Sequence, residues 1–385
     1  MKEILQDKSM EELAALVAAA GEKPFRARQL MEGLTQGKKL SEIPVSAALR
    51  ARLTEAFEEE PVRILETLTA RDGTKKFLFA LADGNIVEGV LMKYKYGNTQ
   101  CVSTQVGCRM GCKFCASTLG GLVRNLSAGE ILGQILAVNR AEGGVKDRRA
   151  VTNLVLMGSG EPFDNYDQVV RFLRNVTDSR GMGISARNIS LSTCGLVPQM
   201  RAFAQEGIPL NLTVSLHAVT DRERARTMPV ARAYSIREIL DACAFYFEKT
   251  GRRYIFEYSL IAGENCDPAH AEALAELLRG RPCHVNLIRL NEVRERSLRA
   301  TGEREAQAFL KALTARGISA TLRRSMGSDI GGACGQLRAS YVNGEEEPPM
   351  SQGSRKRTES YCGKRSRAPK GETANEESGE EEAQR

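Results

Sequence analysis

The chain contains no tryptophan, three histidines and only 5% aromatic residues in 385. The histidines, His217, His270 and His284, are scattered, so no imidazole stands near the cysteines in sequence. No apolar run approaches the ~20 residues that cross a bilayer, which leaves no candidate membrane helix. The first segment, MKEILQDKSMEEL, is charged and lacks the apolar core of a secretion signal. A cytoplasmic protein is expected, and with it reduced thiols rather than a disulfide framework for the ten cysteines. There is neither an aromatic RNP motif nor a dense basic helix, and the net charge of +7 is a mild excess. That balance is compatible with a nucleic-acid partner without requiring one.

The apolar pattern changes along the chain. Over 1–60, apolar residues recur at three- and four-residue steps, broken by Gly21, Pro24 and Pro44, which predicts a small helical accessory unit. Over 61–98, VRILETLTA, KKFLFAL and NIVEGVLM read as strands of a small antiparallel sheet, with Asp83-Gly84 as a turn. Over 99–343, strand-like and helix-like runs alternate, with strands expected near 99–104, 153–157, 188–192, 211–216, 254–261, 284–290 and 318–323. Ser127 with Glu130 and Ser235 with Glu238 form capping boxes, and Asp267-Pro268 is a further helix start. Six or seven such units predict an α/β fold with a parallel sheet curved into a partial barrel, functional groups gathering where strands end. From 344 to 385 the chain is polar and charged, which predicts a disordered tail.

Four cysteines fall in CVSTQVGCRMGCKFC: Cys101, then Cys108, Cys112 and Cys115 in the pattern C-x-x-x-C-x-x-C. Structural zinc wants four tetrahedral ligands, commonly two C-x-x-C pairs or cysteine with histidine, and no second pair exists here. Three thiolates suit a [4Fe–4S] cluster better, because three irons take cysteine and the fourth stays open to a non-protein ligand. S-adenosylmethionine (SAM) can chelate such an iron through its amino and carboxylate groups. With Phe114 just before Cys115, on a loop after the first strand of a βα array, the motif resembles the radical SAM superfamily.

Other strand ends fit that reading. NLVLMGSGEPF ends in Gly158-Ser-Gly160-Glu161, which lacks the third glycine of a phosphate loop and carries an acid that suits a cationic amino group. Ser192, Ser215-Leu216-His217 and Asn291 close later strands. Taken singly, each reads as a polar strand end completing its own hydrogen bonds. In RRSMGSDIGGACGQL, four glycines predict a flexible loop that brings Cys334 over the top of the barrel, although a free cysteine is more commonly an inert buried thiol.

GCRMGCKFCAST, LVLMGSGEP, LSTCGLVP, SLHAVTD, GRRYIFEYSLI, HVNLIRLNEV and GSDIGGACGQL together resemble the RlmN family of radical SAM adenine-C2 methyltransferases, over about residues 20–340. The resemblance implies methylation of carbon 2 of an adenine in 23S rRNA and in tRNAs, with two SAM molecules per turnover. It implies one [4Fe–4S] cluster on Cys108, Cys112 and Cys115, and SAM contacts from Gly160, Glu161, Ser192, Ser215, Leu216, His217 and Asn291. Cys334 matches the cysteine that is first methylated and then bonded to the base. Cys101 matches the cysteine that releases the product through a transient disulfide, and Glu88 matches the proton acceptor. An electron donor such as flavodoxin or ferredoxin, and a monomeric chain, are implied too. The sequence departs from the family pattern at Glu292, where many relatives have proline, and in its charged tail.

Three other readings stand beside this one at the level of sequence. A related group methylates adenine at carbon 8 and shares the cluster and both cysteines. A zinc-stabilised RNA-binding module leaves Cys334 and the strand-end serines unexplained. A radical SAM enzyme for a small molecule gives no reason for Cys101, Cys334 and the N-terminal unit to occur together.

Overall fold

The structure, a computed structural model, describes residues 2–145 and 148–337. The tail expected to be disordered, 344–385, lies outside the described residues, as do the last residues of the expected catalytic unit.

The N-terminal unit has three helices, α1 (Met10–Ala19), α2 (Phe25–Thr35) and α3 (Ala47–Ala56). Ser9 and Glu12 cap α1 reciprocally, satisfying two backbone N–H groups that the helix cannot. Leu13, Val17, Leu30, Leu34, Leu49 and Leu53 close a core of their own. The unit is tied to the rest of the protein where the Asp7 carboxylate accepts the Gly129 N–H at the start of α4 (Ala128–Ala141). A side chain at Gly129 would collide with Ile4, so glycine is needed for that approach.

Ten strands follow in one sheet, paired strictly in chain order. They are β1 (Val62–Thr69), β2 (Lys75–Leu81), β3 (Ile86–Tyr94), β4 (Gly97–Cys101), β5 (Asn153–Leu156), β6 (Ile189–Thr193), β7 (Asn211–Ser215), β8 (Tyr254–Leu260), β9 (Cys283–Arg289) and β10 (Ala320–Leu322). Strands β1 to β4 form an antiparallel meander, and β4 to β10 run parallel. The remaining helices, α5 (Tyr166–Thr177), α6 (Val197–Ala204), α7 (Asp221–Thr227), α8 (Ile236–Thr250), α9 (Pro268–Leu278) and α10 (Glu303–Ala315), complete six crossovers. This is the radical SAM-type partial barrel expected from the sequence, with β1 and β10 at its edges. The predicted capping boxes at Ser127 and Ser235 form, and Asp267 accepts from His270 N–H.

The segment 61–98 forms the antiparallel strands expected, and they join the parallel sheet directly: β3 pairs with β4, Val90 opposite Cys101 and Tyr94 opposite Gly97, so the meander extends it. An unpaired β4 edge would leave a row of backbone donors and acceptors open, and the meander fills it.

Candidate active site

The parallel strands send their C-terminal ends to one rim, and there the polar residues collect around an open cavity. Cys108, Cys112, Cys115, Gly160, Glu161, Ser192, Ser215, His217, Asn291 and Cys334 line it. Sequence reasoning placed all ten in the site. Leu216 is different: its side chain is fully buried in the core, and it meets the rim only through its backbone.

The two glycines of Gly-Ser-Gly are required by packing. A Cβ on Gly158 would lie 2.6 Å from the Val102 carbonyl, and one on Gly160 2.8 Å from the Gln105 nitrogen. The loop therefore presses against the segment leading to the cysteines, and Gly160 takes φ +110°. Beside it, Glu161 accepts from Cys194 N–H (2.7 Å) and Phe163 N–H (3.0 Å). Burial pushes its carboxyl upward, against the pull of those amides.

His217 is the one described non-glycine residue with positive φ, at 58°. Its conformation is held by Asn265, which donates to the His217 carbonyl, and its Nδ1 accepts the Ser259 N–H at 2.9 Å. Burial, aided by the Arg224 charge, brings its pKa down to about 3. The imidazole is thus neutral, with its proton on Nε2. Phe114, one residue before Cys115, packs edge-on to it at 4.8 Å.

Burial pushes all three motif thiols up, Cys108 to about 12. Enclosed thiols of this kind lose their protons to a metal centre rather than to water. Among the described residues no three His, Cys, Asp or Glu side chains stand close enough together to hold a single metal ion. Three thiols distributed along a cavity wall fit a polynuclear cluster, and the neighbouring Glu161 carboxylate and strand-end hydroxyls fit the polar groups of SAM.

The Cys334 loop corrects an expectation. Its glycines do not make it loose; Gly327, Gly331 and Gly335 adopt left-handed turns, and the backbone is pinned throughout. Gly327 N–H donates to Asp72 (3.0 Å), Ala116 N–H to the Gly335 carbonyl (2.7 Å) and Ser117 Oγ to the Leu337 carbonyl (2.6 Å). Asn291 Nδ2 donates to the Cys334 carbonyl at 3.0 Å. Glu292 reinforces the same corner, accepting from Gln336 through its carbonyl and from Ala300 N–H through its carboxylate. The Cys334 loop and the motif loop are one hydrogen-bonded unit.

Cys334 is exposed by area, but it opens into the cleft and is surrounded by protein. It also lines a second cavity, together with Cys101, Tyr94 and Arg323. Burial raises both thiols, and the Arg323 guanidinium is the strongest influence holding Cys334 down. Arg323 in turn donates to Glu257 at 2.7 Å, and Glu257 accepts from Ser192 Oγ at 3.3 Å. Glu88 lies on the β3 face that carries Val90, Met92 and Tyr94; it is buried, stands 2.7 Å from Lys76 Nζ and lines neither cavity.

Sequence reasoning missed Glu257, Arg323 and Arg224. The signal for Glu257 was present, a lone acid inside the apolar strand YIFEYSL. Arg224 is fully buried and donates to the carbonyls of Cys194, Ser215 and Leu216, joining the ends of β6 and β7. Arg109 and Arg124, near the motif loop, are engaged with Asp164 and with Asp83 and Glu130, while Lys113 is exposed.

Residues 102–278 match the family model described as the radical SAM superfamily. A probable dual-specificity RNA methyltransferase RlmN of Clostridium perfringens is 49% identical over 346 residues, covering 89% of this chain and 98% of that protein. The like-named protein of Lachnoclostridium phytofermentans is 49% identical, covering 87% and 94%. Among solved structures, a radical SAM methyltransferase from Sphaerobacter thermophilus superposes with a TM-score of 0.84 at 42% identity, covering 88% of this chain and 99% of that one.

Proposed function

The chain belongs to the RlmN family of radical SAM methyltransferases, and we propose that its two adjoining cavities carry out a cysteine-relayed methylation of RNA. The protein is an RNA methyltransferase, acting on carbon 2 of adenine in 23S rRNA and in tRNA as its family does. The observation that carries the relay is the position of Cys334, which faces the three-cysteine cavity on one side and Cys101 on the other.

Cys108, Cys112 and Cys115 would hold a [4Fe–4S] cluster, and Gly160, Glu161, Ser192, Ser215, His217 and Asn291 would hold SAM, with the Leu216 backbone at the same strand end. When bound, these groups supply a transferable methyl and an adenosyl radical, a pair suited to a ring carbon too electron-poor to attack a sulfonium methyl directly. Cys334 Sγ is the nucleophile that takes the methyl, held by Asn291 on its backbone and favoured as thiolate by Arg323. After Cys334 is joined to the base, Glu88 takes the ring proton. Cys101 Sγ then attacks Cys334 Sγ, and the bond from that sulfur to the base-borne carbon breaks. The carbon keeps the electron pair and takes a proton to become the methyl, and a disulfide is left for cellular thiols to reduce. A cytoplasmic site accords with that reduction, and the radical chemistry calls separately for a small electron-transfer protein such as flavodoxin or ferredoxin as donor.

Peptide mass spectrometry on protein isolated with its cluster and supplied with SAM tests the relay. A single methyl on Cys334, and 2-methyladenine in RNA afterwards, is the expected result. An unmodified Cys334 in cluster-loaded protein would sink the relay while leaving family membership untouched.

A further inference from the structure

The turn between β3 and β4 puts two tyrosines on the outer wall of the Cys101–Cys334 cavity. The sequence Lys93-Tyr94-Lys95-Tyr96 ends β3 and makes a two-residue turn before Gly97. Tyr94 and Tyr96 stack face to face, centroids 5.0 Å apart and planes 7° from parallel. The inner ring, Tyr94, is half-buried and lines the cavity that holds both cysteines. The outer ring, Tyr96, is 72% exposed, the most exposed of the large hydrophobic side chains among the described residues.

The hairpin carrying these rings is well anchored. Gly97 takes φ +137°, and a side chain there would collide with Thr152. Asn98 Nδ2 donates to the Ala150 carbonyl at 2.8 Å, and Thr152 N–H to the Asn98 carbonyl at 3.0 Å. A stacked aromatic pair held open to solvent on such a base is an unfinished stack. Lys95, between the two rings in sequence, and Arg324, which lines the same cavity as Tyr94, are exposed.

We propose that Tyr96 is a stacking platform for an unpaired nucleobase of the RNA substrate, adjoining the adenine that enters the cavity, with Lys95 and Arg324 meeting the neighbouring phosphates. The proposal rests on the RNA methyltransferase reading above. A flat aromatic face accepts any base, so this contact contributes affinity and orientation while tolerating different sequences. It suits an enzyme acting on more than one RNA. An unstacked loop nucleotide also fits better than a duplex, in which the base faces are covered.

The test uses the full-length, cluster-loaded protein and a tRNA anticodon stem-loop transcript. Tyr96→Ala is expected to weaken binding by about five- to a hundredfold, the range for removal of a base-stacking ring. Methylation of Cys334, which needs no RNA, serves as the control for an intact site. Because the chain has no tryptophan, Tyr96→Trp introduces a single indole, which can be excited at wavelengths the tyrosines do not absorb. It is expected to keep wild-type affinity and to lose emission when RNA binds. Unchanged affinity in Tyr96→Ala, or unchanged Tyr96→Trp emission at saturating RNA, overturns the proposal. Normal RNA affinity with slowed turnover at limiting flavodoxin assigns the surface to the electron donor and overturns it too. Failure of the wild-type protein to methylate RNA would instead strike the underlying reading.

Discussion

Lys76 Nζ lies 2.7 Å from the Glu88 carboxylate and also reaches the Gly331 carbonyl at 3.4 Å, so one ammonium joins the expected proton acceptor to the loop that carries Cys334. Strand pairing sets this up: Lys76 is opposite Val90 and Leu78 opposite Glu88, which places Lys76 and Glu88 diagonally on one face. Both side chains are buried. Taking away one partner of such a pair costs about 3–5 kcal/mol. Lys76→Met is therefore expected to lower the urea midpoint and, at temperatures where it stays folded, to accumulate a covalent protein–RNA species. Lys76→Arg should restore much of both. Denaturing gels after turnover read the adduct. A fully active Lys76→Met without adduct would separate Glu88 from the chemistry.

Cys101 borders the Cys334 cavity without touching the three-cysteine cavity, an asymmetry that supports the proposed role in release rather than in methyl acceptance. Cys101→Ala is expected to carry a methylated Cys334 and to stall with RNA attached, cutting free product by at least about a hundredfold. Cys334→Ala should form no adduct at all. Free product at the normal rate from Cys101→Ala would remove the disulfide step from the mechanism.

The order of the elements was legible in the sequence because each strand and helix is long enough to show its own period, and its caps are local. The seven parallel strands lie within a few residues of where alternation placed them. The cavity residues were legible through the family resemblance: strand ends are where a parallel α/β array gathers functional groups, but taken singly Glu161, Ser192, Ser215, His217 and Asn291 read as polar strand ends, and the matching motifs singled them out. What stayed hidden depended on contacts distant in sequence. Glu257 and Arg323 are 66 residues apart, and nothing near either one announces the partner. The glycines around Cys334 read as flexibility because left-handed turns and loose chain share a composition. Only the bonds to Asp72, Lys76 and Ala116 separate the two.

Gly160 offers a test of the loop that supports Glu161. Its φ of +110° is strained for any L side chain, and an added Cβ would meet Gln105 Cβ at 2.7 Å. The obstacle is partly backbone, so a rotamer change cannot relieve it. Gly160→Ala is expected to destabilise the fold by roughly 1–3 kcal/mol. It should also weaken SAM binding tenfold or more by moving Glu161, as isothermal titration would show. Gly143→Ala, where a Cβ meets nothing within 4 Å, controls for the general cost of alanine at a left-handed glycine.

His217 makes the protein acid-sensitive in a direction that can be worked out. Its folded pKa of about 3 lies below its ordinary value of 6.5, because the buried imidazole resists charging. The unfolded chain therefore binds more protons between those two values, and stability falls as pH drops from about 6.5 toward 3. His217→Asn removes the titration while keeping much of the geometry. Asparagine tolerates positive φ, and its side-chain oxygen can accept from Ser259 N–H in place of Nδ1. Urea midpoints measured from pH 7 to pH 4.5 should fall more steeply for the wild type than for His217→Asn. Parallel curves would mean that the imidazole reaches water and charges in the folded state. SAM would then meet a cationic ring at that wall, and the neutral Nε2–H donor assigned to His217 would have to be abandoned.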